Sequence, residues 1–211
     1  MTRIKLCGLT RLCDIEEANS LLPDYIGFVF AAKSKRYVSP EVAGRLREAL
    51  NPSVCAVGVF VKEAPEYVAG LLNSGVIDLA QLHGGEDEQY IEQLRSLTDK
   101  PVIRAFCVDG PGDLVQAKGS TADYILLDNG AGGTGQIFDW KYLTGFDRPY
   151  FLAGGLGPEN VAEAVAMLHP FAVDVSSGIE TNGVKDRLKM RAFVEAVKDF
   201  FLRRMVEYEQ S

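Results

Sequence analysis

Eight short apolar runs recur along the chain, and no other feature restricts its fold as sharply. They are Arg3–Cys7, Tyr25–Phe30, Val54–Phe60, Asp78–Leu82, Val102–Phe106, Tyr124–Leu127, Tyr150–Ala153 and Ala172–Val175. Several are almost unbroken in aliphatic and β-branched residues, as parallel strands are when helices cover them. The intervening segments carry helical periodicity, and no Ser/Pro-rich linker or shift of composition interrupts them. This alternation predicts a single α/β domain over residues 1–211, a closed (β/α)8 TIM barrel, with an open doubly wound sheet as the alternative.

The helices have legible ends. Ser39-Pro40-Glu41 supplies a capping hydroxyl, a proline for the first helical position and an acid near the positive end of the dipole. Val42, Leu46 and Leu50 follow on one stripe. Gly157-Pro158-Glu159-Asn160 repeats the proline and the acid, with Val161, Val165 and Leu168 as its apolar face. A helix from Pro65 to Leu72 is ended by Asn73-Ser74-Gly75. The last helix, around Asp186–Phe201, turns Phe193, Val197, Phe200 and Phe201 inward before a charged tail. Further helices are expected between Gly112 and Lys118 and between Phe138 and Leu143.

With 211 residues, 47% of them hydrophobic, the chain can bury a sizeable core. A net charge of −7 speaks against nucleic-acid or anionic-membrane partners, which need a basic face. It leaves room for a small anion held by backbone N–H groups and one arginine. The opening MTRIKLCGLT lacks the apolar stretch of a secretory signal, and no run approaches the roughly 18 apolar residues of a membrane span. Cys7, Cys13, Cys55 and Cys107 show neither CxxC spacing nor ligand-like spacing with a histidine. Reduced thiols in a cytoplasmic protein, with no metal site, are expected.

In a parallel barrel the functional face lies at the C-terminal ends of the strands. Polar and glycine-rich clusters fall there repeatedly. Cys7-Gly8-Leu9-Thr10 follows the first run, Lys33–Arg36 the second and Gln81–Gly84 closes the fourth. Asp128 and Gly130–Gly135 follow the sixth, Gly154–Gly157 the seventh and Ser176-Ser177-Gly178 the eighth. The last two stand where this fold commonly builds a phosphate site, beside a short extra helix. There Gly154, Gly155, Ser176, Ser177 and Gly178 would offer backbone N–H groups, hydroxyls and close approach. Either cluster alone reads as an ordinary βα turn; both in the expected places read as an anion site.

Side chains alternate along a strand, so Arg3, Lys5 and Cys7 share one face. That sets Lys5 and Cys7 inside the barrel, where the ammonium is expected to draw the thiol pKa from about 8.5 towards neutrality. The plain alternative is a cysteine packed as a small hydrophobe. Asp128 shares a face with Tyr124 and Leu126 and reaches the mouth where its strand stops, as a site acid or as a helix cap. Because the first and eighth strands adjoin in a closed barrel, Asp174 is the counter-ion that an inward Lys5 requires. His83 reads as a hydrogen-bonding loop residue rather than a metal ligand, and Arg36 as part of a solvated charge run.

Taken in order, a set of strings resembles one known family. They are KLCGLT (Lys5–Thr10), the Phe28–Val38 segment ending SKRYV, GVFV (Gly58–Val61), QLHG (Gln81–Gly84), LLDN with GGTG and FDW (Leu126–Trp140), LAGGLGPENV (Leu152–Val161) and DVSSGIE (Asp174–Glu180). From the first strand to the last they look like the phosphoribosylanthranilate isomerases of tryptophan biosynthesis. The resemblance implies an aldose–ketose isomerase working by an Amadori rearrangement, without cofactor or metal. Its substrate would be N-(5-phosphoribosyl)anthranilate and its product 1-(2-carboxyphenylamino)-1-deoxyribulose 5-phosphate. Asp128 is then the general acid toward the furanose ring oxygen and Cys7 the general base at ribose carbon 2. The phosphate falls to Gly154, Gly155, Ser176, Ser177 and Gly178, and the anthranilate carboxylate to Arg36. Asp174 becomes an orienting acid, and His83 joins the substrate contacts. The expected partner is this small phosphoribosyl substrate, met by a monomer.

Two other readings compete. A related phosphosugar aminoaldose isomerase would carry aspartate at the first strand end and half-barrel repeats, where this sequence has Cys7 and no such duplication. A catalytically inactive barrel that only binds a phosphorylated ligand would retain the glycine loops without needing the acid and the base.

Overall fold

The structure is a computed structural model that describes residues 1–128, 140–143 and 145–209, and for 141, 142 and 201–209 the backbone alone. Asn129 and the Gly130–Gly135 cluster lie outside the described residues. Eight parallel strands close into a barrel in chain order. They are β1 (Arg3–Cys7), β2 (Tyr25–Val29), β3 (Cys55–Phe60), β4 (Leu79–Leu82), β5 (Val102–Cys107), β6 (Tyr124–Asp128), β7 (Tyr150–Leu152) and β8 (Ala172–Val175). Each expected strand is present, and no end moves by more than one residue. β1 pairs with β8, Lys5 opposite Asp174 and Leu6 opposite Val175, which excludes the open sheet.

Helices α1 (Leu12–Leu21), α2 (Pro40–Ala49), α3 (Pro65–Asn73), α4 (Glu88–Leu97), α5 (Pro111–Gly119), α6 (Val161–Leu168) and α7 (Arg187–Glu209) stand between or after the strands. The Ser39 hydroxyl caps α2 by accepting from the Val42 N–H at 3.3 Å, and Gly75, at φ +77°, closes α3. Three expectations are corrected. α6 starts at Val161 rather than Pro158, because Asn160 shapes the preceding turn: its Oδ1 accepts from Gly157 N and its Nδ2 donates to Gly155 O, both at 2.9 Å. Before β7, Trp140–Leu143 is one 3-10 turn rather than part of a helix. α7 continues through the supposed tail to Glu209, with Phe193 and Val197 buried and Phe200 packed against the core; the Phe201 side chain lies outside the described residues.

Strand parity divides the core in two. Leu6, Ile26, Phe28, Phe60 and Val173 face outward onto the helices, where Phe193 meets them in one cluster. Tyr25, Val57, Leu79, Ile103, Leu126 and Phe151 fill the barrel itself. At its N-terminal end the rings of Tyr25, Tyr124, Phe151 and Phe171 stack or meet edge to face, with Arg3 over Phe171. The interior is therefore plugged below, and its chemistry is gathered at the C-terminal mouth. After β8 the chain makes a 3-10 turn (Ser177–Ile179) and a small hairpin, β9 (Glu180–Thr181) with β10 (Val184–Lys185), before entering α7.

Candidate active site

The uppermost apolar layer of the barrel is Cys7, Val29 and Val59. Above it opens a cavity of about 270 Å³. Cys7, Arg36, His83, Asp128 and Asp174 line it, with Gly154, Gly155, Ser176 and Ser177 along the β7–β8 side. These residues come from strands far apart in sequence, and parallel closure alone brings their C-terminal ends together.

Lys5 is completely buried, and its Nζ donates to both oxygens of Asp174 at 3.0 Å, the pairing that adjacent β1 and β8 require. Burial opposes the ammonium charge, yet Asp174 and Cys7 outweigh it and hold the Lys5 pKa above its usual value. Cys7 sits two residues further up the same face. Gly27 of β2 makes room for it: a Cβ there would lie 2.7 Å from Cys7 Sγ. Burial pushes the Cys7 thiol up; Lys5 and Lys185 pull it down, and Asp174 pushes with burial. The net shift is upward, which corrects the expectation of a lowered pKa. Asp174 offsets part of the Lys5 field, and burial decides the direction.

Asp128 ends β6. Its Oδ2 lies 3.4 Å from His83 Nε2, and His83 Nδ1 lies 2.9 Å from Gln81 Nε2. Its Oδ1 is buried and has no hydrogen-bond partner among the described residues. One carboxyl oxygen is thus leaned on by His83, and the other is unmet. Among the described residues neither oxygen caps a helix.

Arg36 is no solvated charge. Its side chain is 17% exposed, and the Glu180 carboxylate takes it side-on, Nε at 2.5 Å and Nη2 at 3.0 Å. The neighbouring Lys35 is exposed, but its Nζ also lies 3.8 Å from Glu180 Oε2. Lys185 also holds Glu180, at 2.7 Å, and donates to the Ser176 carbonyl at 2.8 Å. Burial opposes ionisation of Glu180, but Arg36 and Lys185 prevail and bring its pKa down to about 2.

On the opposite side, Gly154 at φ +87° and Gly155 at φ +65° are consecutive positive-φ residues that line the cavity, a backbone that favours glycine. Gly178 stands one layer back. A Cβ on it would fall 2.0 Å from the Leu156 carbonyl oxygen, so the loops after β7 and β8 lie backbone against backbone. The Ser176 hydroxyl donates to the Cys7 carbonyl at 3.1 Å, and the Ser177 hydroxyl makes no hydrogen bond among the described residues. The 3-10 turn from Ser177 is three residues long and carries little dipole, so an anion here meets N–H groups and a hydroxyl rather than a helix end.

Glu180, Lys185, Asn160 and Gly27 were not singled out in the sequence. Glu180 ends the DVSSGIE string and Asn160 stands in LAGGLGPENV, and both could have been noticed there. Lys185 and Gly27 carry no signal without the folded structure. Among the described residues, no group of three or more His, Cys, Asp or Glu is placed to hold a metal ion.

The sequence profile described as N-(5'phosphoribosyl)anthranilate (PRA) isomerase matches residues 4–196. A protein of Endomicrobium trichonymphae named N-(5'-phosphoribosyl)anthranilate isomerase is 46% identical over 202 residues, covering 94% of this chain and 98% of its own. The crystal structure of phosphoribosyl anthranilate isomerase from Thermotoga maritima superposes with a TM-score of 0.87 at 39% identity, covering 94% of this chain and all of its own. A further crystal structure of a phosphoribosyl anthranilate isomerase, 38% identical with a TM-score of 0.83 and the same coverage, is a complex with reduced 1-(o-carboxyphenylamino)-1-deoxyribulose 5-phosphate. Closed barrel, mouth cavity and near full-length similarity agree, and the chain belongs to the N-(5'-phosphoribosyl)anthranilate isomerase family.

Proposed function

We propose that this chain converts N-(5'-phosphoribosyl)anthranilate to 1-(2-carboxyphenylamino)-1-deoxyribulose 5-phosphate in tryptophan biosynthesis, with Asp128 as acid and Cys7 as base. The observation that carries the reading is one cavity in which the β6 carboxyl and the β1 thiol stand beside a glycine–serine anion cradle. The phosphate is held by the backbone of Gly154, Gly155, Ser176 and Ser177 with the Ser177 hydroxyl, while Gly178 packs these loops together from behind, and the anthranilate carboxylate is held by Arg36.

Asp128 gives its proton to the furanose ring oxygen as the bond from carbon 1 to that oxygen breaks and the nitrogen lone pair forms an iminium. The Cys7 thiolate removes the proton from carbon 2. The released pair forms the double bond between carbons 1 and 2, and the iminium pair returns to nitrogen, giving the enolamine. Transfer of the thiol proton to carbon 1 and of the enol proton to Asp128 yields the ketone and resets both groups. Carbon 1 is reduced as carbon 2 is oxidised, so the electron balance closes within the substrate. Asp174, fixed by Lys5, and His83, beside Asp128, orient the sugar between them. Each acid–base step contributes about 10²–10⁴-fold, and fixed positioning adds to it.

The test is single-turnover fluorescence with the anthranilate substrate, whose signal is lost on rearrangement. Binding with the signal preserved would leave the inactive phosphate-binding barrel. Growth of an auxotroph lacking this step provides the second check. The reading takes the chain to act in the cytoplasm as a monomer. The Thermotoga maritima enzyme is described as dimeric, so sedimentation equilibrium is the matching measurement. With a net charge of −7, neither nucleic acid nor membrane is proposed as a partner. Among the described residues, no helix is long and apolar enough to cross a membrane.

A further inference from the structure

A guanidinium presents two edges to carboxylates, side-on through Nε and Nη2 and end-on through its two Nη atoms. In Arg36 the side-on edge is taken by Glu180, at 2.5 and 3.0 Å. Nη1 makes no hydrogen bond among the described residues, and Arg36 lines the cavity. Its aliphatic stem is fixed as well, because it rests on Gly8, where a Cβ would lie 2.5 Å from Arg36 Cδ. Glu180 is itself immobilised: its side chain is 4% exposed, and Lys185 donates to the same oxygen that Arg36 Nε uses. Arg36 and Lys185 share this carboxylate and Lys35 Nζ lies 3.8 Å from it, so the cluster keeps a surplus positive charge beside the cavity.

We propose that Glu180, presented by the β9–β10 hairpin, is the positioning residue that aims the end-on edge of Arg36 into the cavity. It thereby sets the preference for a substrate whose N-aryl group bears a carboxylate. This rests on the reading of Arg36 as the carboxylate contact, and adds what makes that contact selective. A long side chain free to rotate would meet the carboxylate only after giving up rotamer freedom; one already clamped side-on loses less.

The experiment compares kcat/KM for N-(5'-phosphoribosyl)anthranilate with that for the carboxylate-free N-(5'-phosphoribosyl)aniline. The ratio is measured in the unmodified protein and in Glu180→Gln, Glu180→Asp, Arg36→Met and Arg36→Met/Glu180→Gln. Glu180→Gln is expected to lower the ratio about tenfold, the scale of a hydrogen bond to a charged group, through KM rather than kcat. In the double variant the ratio should fall no further than in Arg36→Met. Glu180→Asp keeps the charge that buried Lys185 needs and shortens the reach. It should lower the ratio in the same sense, even if Glu180→Gln folds poorly. Inhibition by inorganic phosphate, read in parallel, reports an intact β7–β8 side. Equal losses on both substrates, or an unchanged ratio in both Glu180 variants while Arg36→Met collapses it, would overturn the positioning role. A ratio untouched by Arg36→Met would instead remove the Arg36 reading, and this proposal with it.

Discussion

To act as base Cys7 must first lose its proton, and its surroundings make that harder than for a free thiol. Burial holds the Cys7 pKa above its usual value despite Lys5 and Lys185. A raised thiol pKa keeps the neutral form to higher pH, so at neutrality only a minor thiolate fraction is present. That fraction grows about tenfold per pH unit until the pKa is reached. We therefore expect the rate of Cys7 alkylation by iodoacetamide to climb through neutral pH toward an apparent pKa above that of a free thiol. A plateau below pH 7 would show that the thiol ionises despite its burial. Cys7→Ala and Asp128→Asn are each expected to reduce turnover about 10²–10⁴-fold while inorganic phosphate still inhibits. Near-normal turnover in Cys7→Ala would end its role as base. The meeting of Lys5, Cys7 and Asp174 was legible in the sequence, because strand parity and barrel closure are pure geometry. The direction of the thiol shift was not. It depends on a 3.0 Å Lys5–Asp174 contact set against burial, and neither magnitude is written in residue spacing.

At the scale of elements, the strands were legible because parallel strands under helices leave unbroken apolar runs, and α2 because Ser39 and Pro40 announce its start. The β9–β10 hairpin was not, since two-residue strands carry no periodicity, and so Arg36 was read as solvated. The start of α6 was misplaced for a related reason: Asn160 reads as a helical residue until its two hydrogen bonds to the Gly155–Gly157 turn are seen. The glycines of the anion cradle were legible as a cluster, but their separate tasks were not. Gly178 is set by contact between loops, and a test follows from that. Gly178→Ala would place a Cβ 2.0 Å from the Leu156 carbonyl, and backbone rather than a flexible side-chain end would have to yield. We expect a loss of about 1–3 kcal/mol in stability, typical of overpacking, and a clear weakening of inorganic phosphate inhibition as the β7 and β8 loops part. Gly112→Ala in α5 is the control: nothing lies within 4 Å of its added Cβ, and stability should rise by up to about 1 kcal/mol. Equal melting temperatures for the two variants would mean that the loops after β7 and β8 accommodate the methyl group.

Over the whole molecule, carboxylates tie together segments that the chain itself keeps apart. Glu17 of α1 accepts from Arg187 at 2.8 Å and from Arg191 at 2.9 Å, joining the first helix to the last. Glu180 joins the loop after β2 to the hairpin after β8, and Glu88 of α4 meets Arg104 of β5 and Thr121 ahead of β6. In each case burial opposes the charge and the donors outweigh it, so all three pKa values are lowered, to about 2 for Glu88 and Glu180. A carboxylate whose folded pKa is depressed contributes stability that is complete above its unfolded value and is lost as pH falls through the folded one. For Glu180 the window runs from 4.5 down to about 2. Its full span is worth on the order of 3 kcal/mol. Glu88, with a side chain 42% exposed, is worth less because solvent screens it. The expected Tm is therefore nearly flat from about pH 7 to 5 and falls steeply below. Glu180→Gln should lower the Tm at neutral pH and flatten the acid limb, because the variant no longer has that proton to take up. Glu17→Gln should do the same at the α1–α7 seam. Parallel acid limbs in Glu180→Gln and the unmodified protein would show that this carboxylate is already protonated, or unpaired, when the barrel is folded.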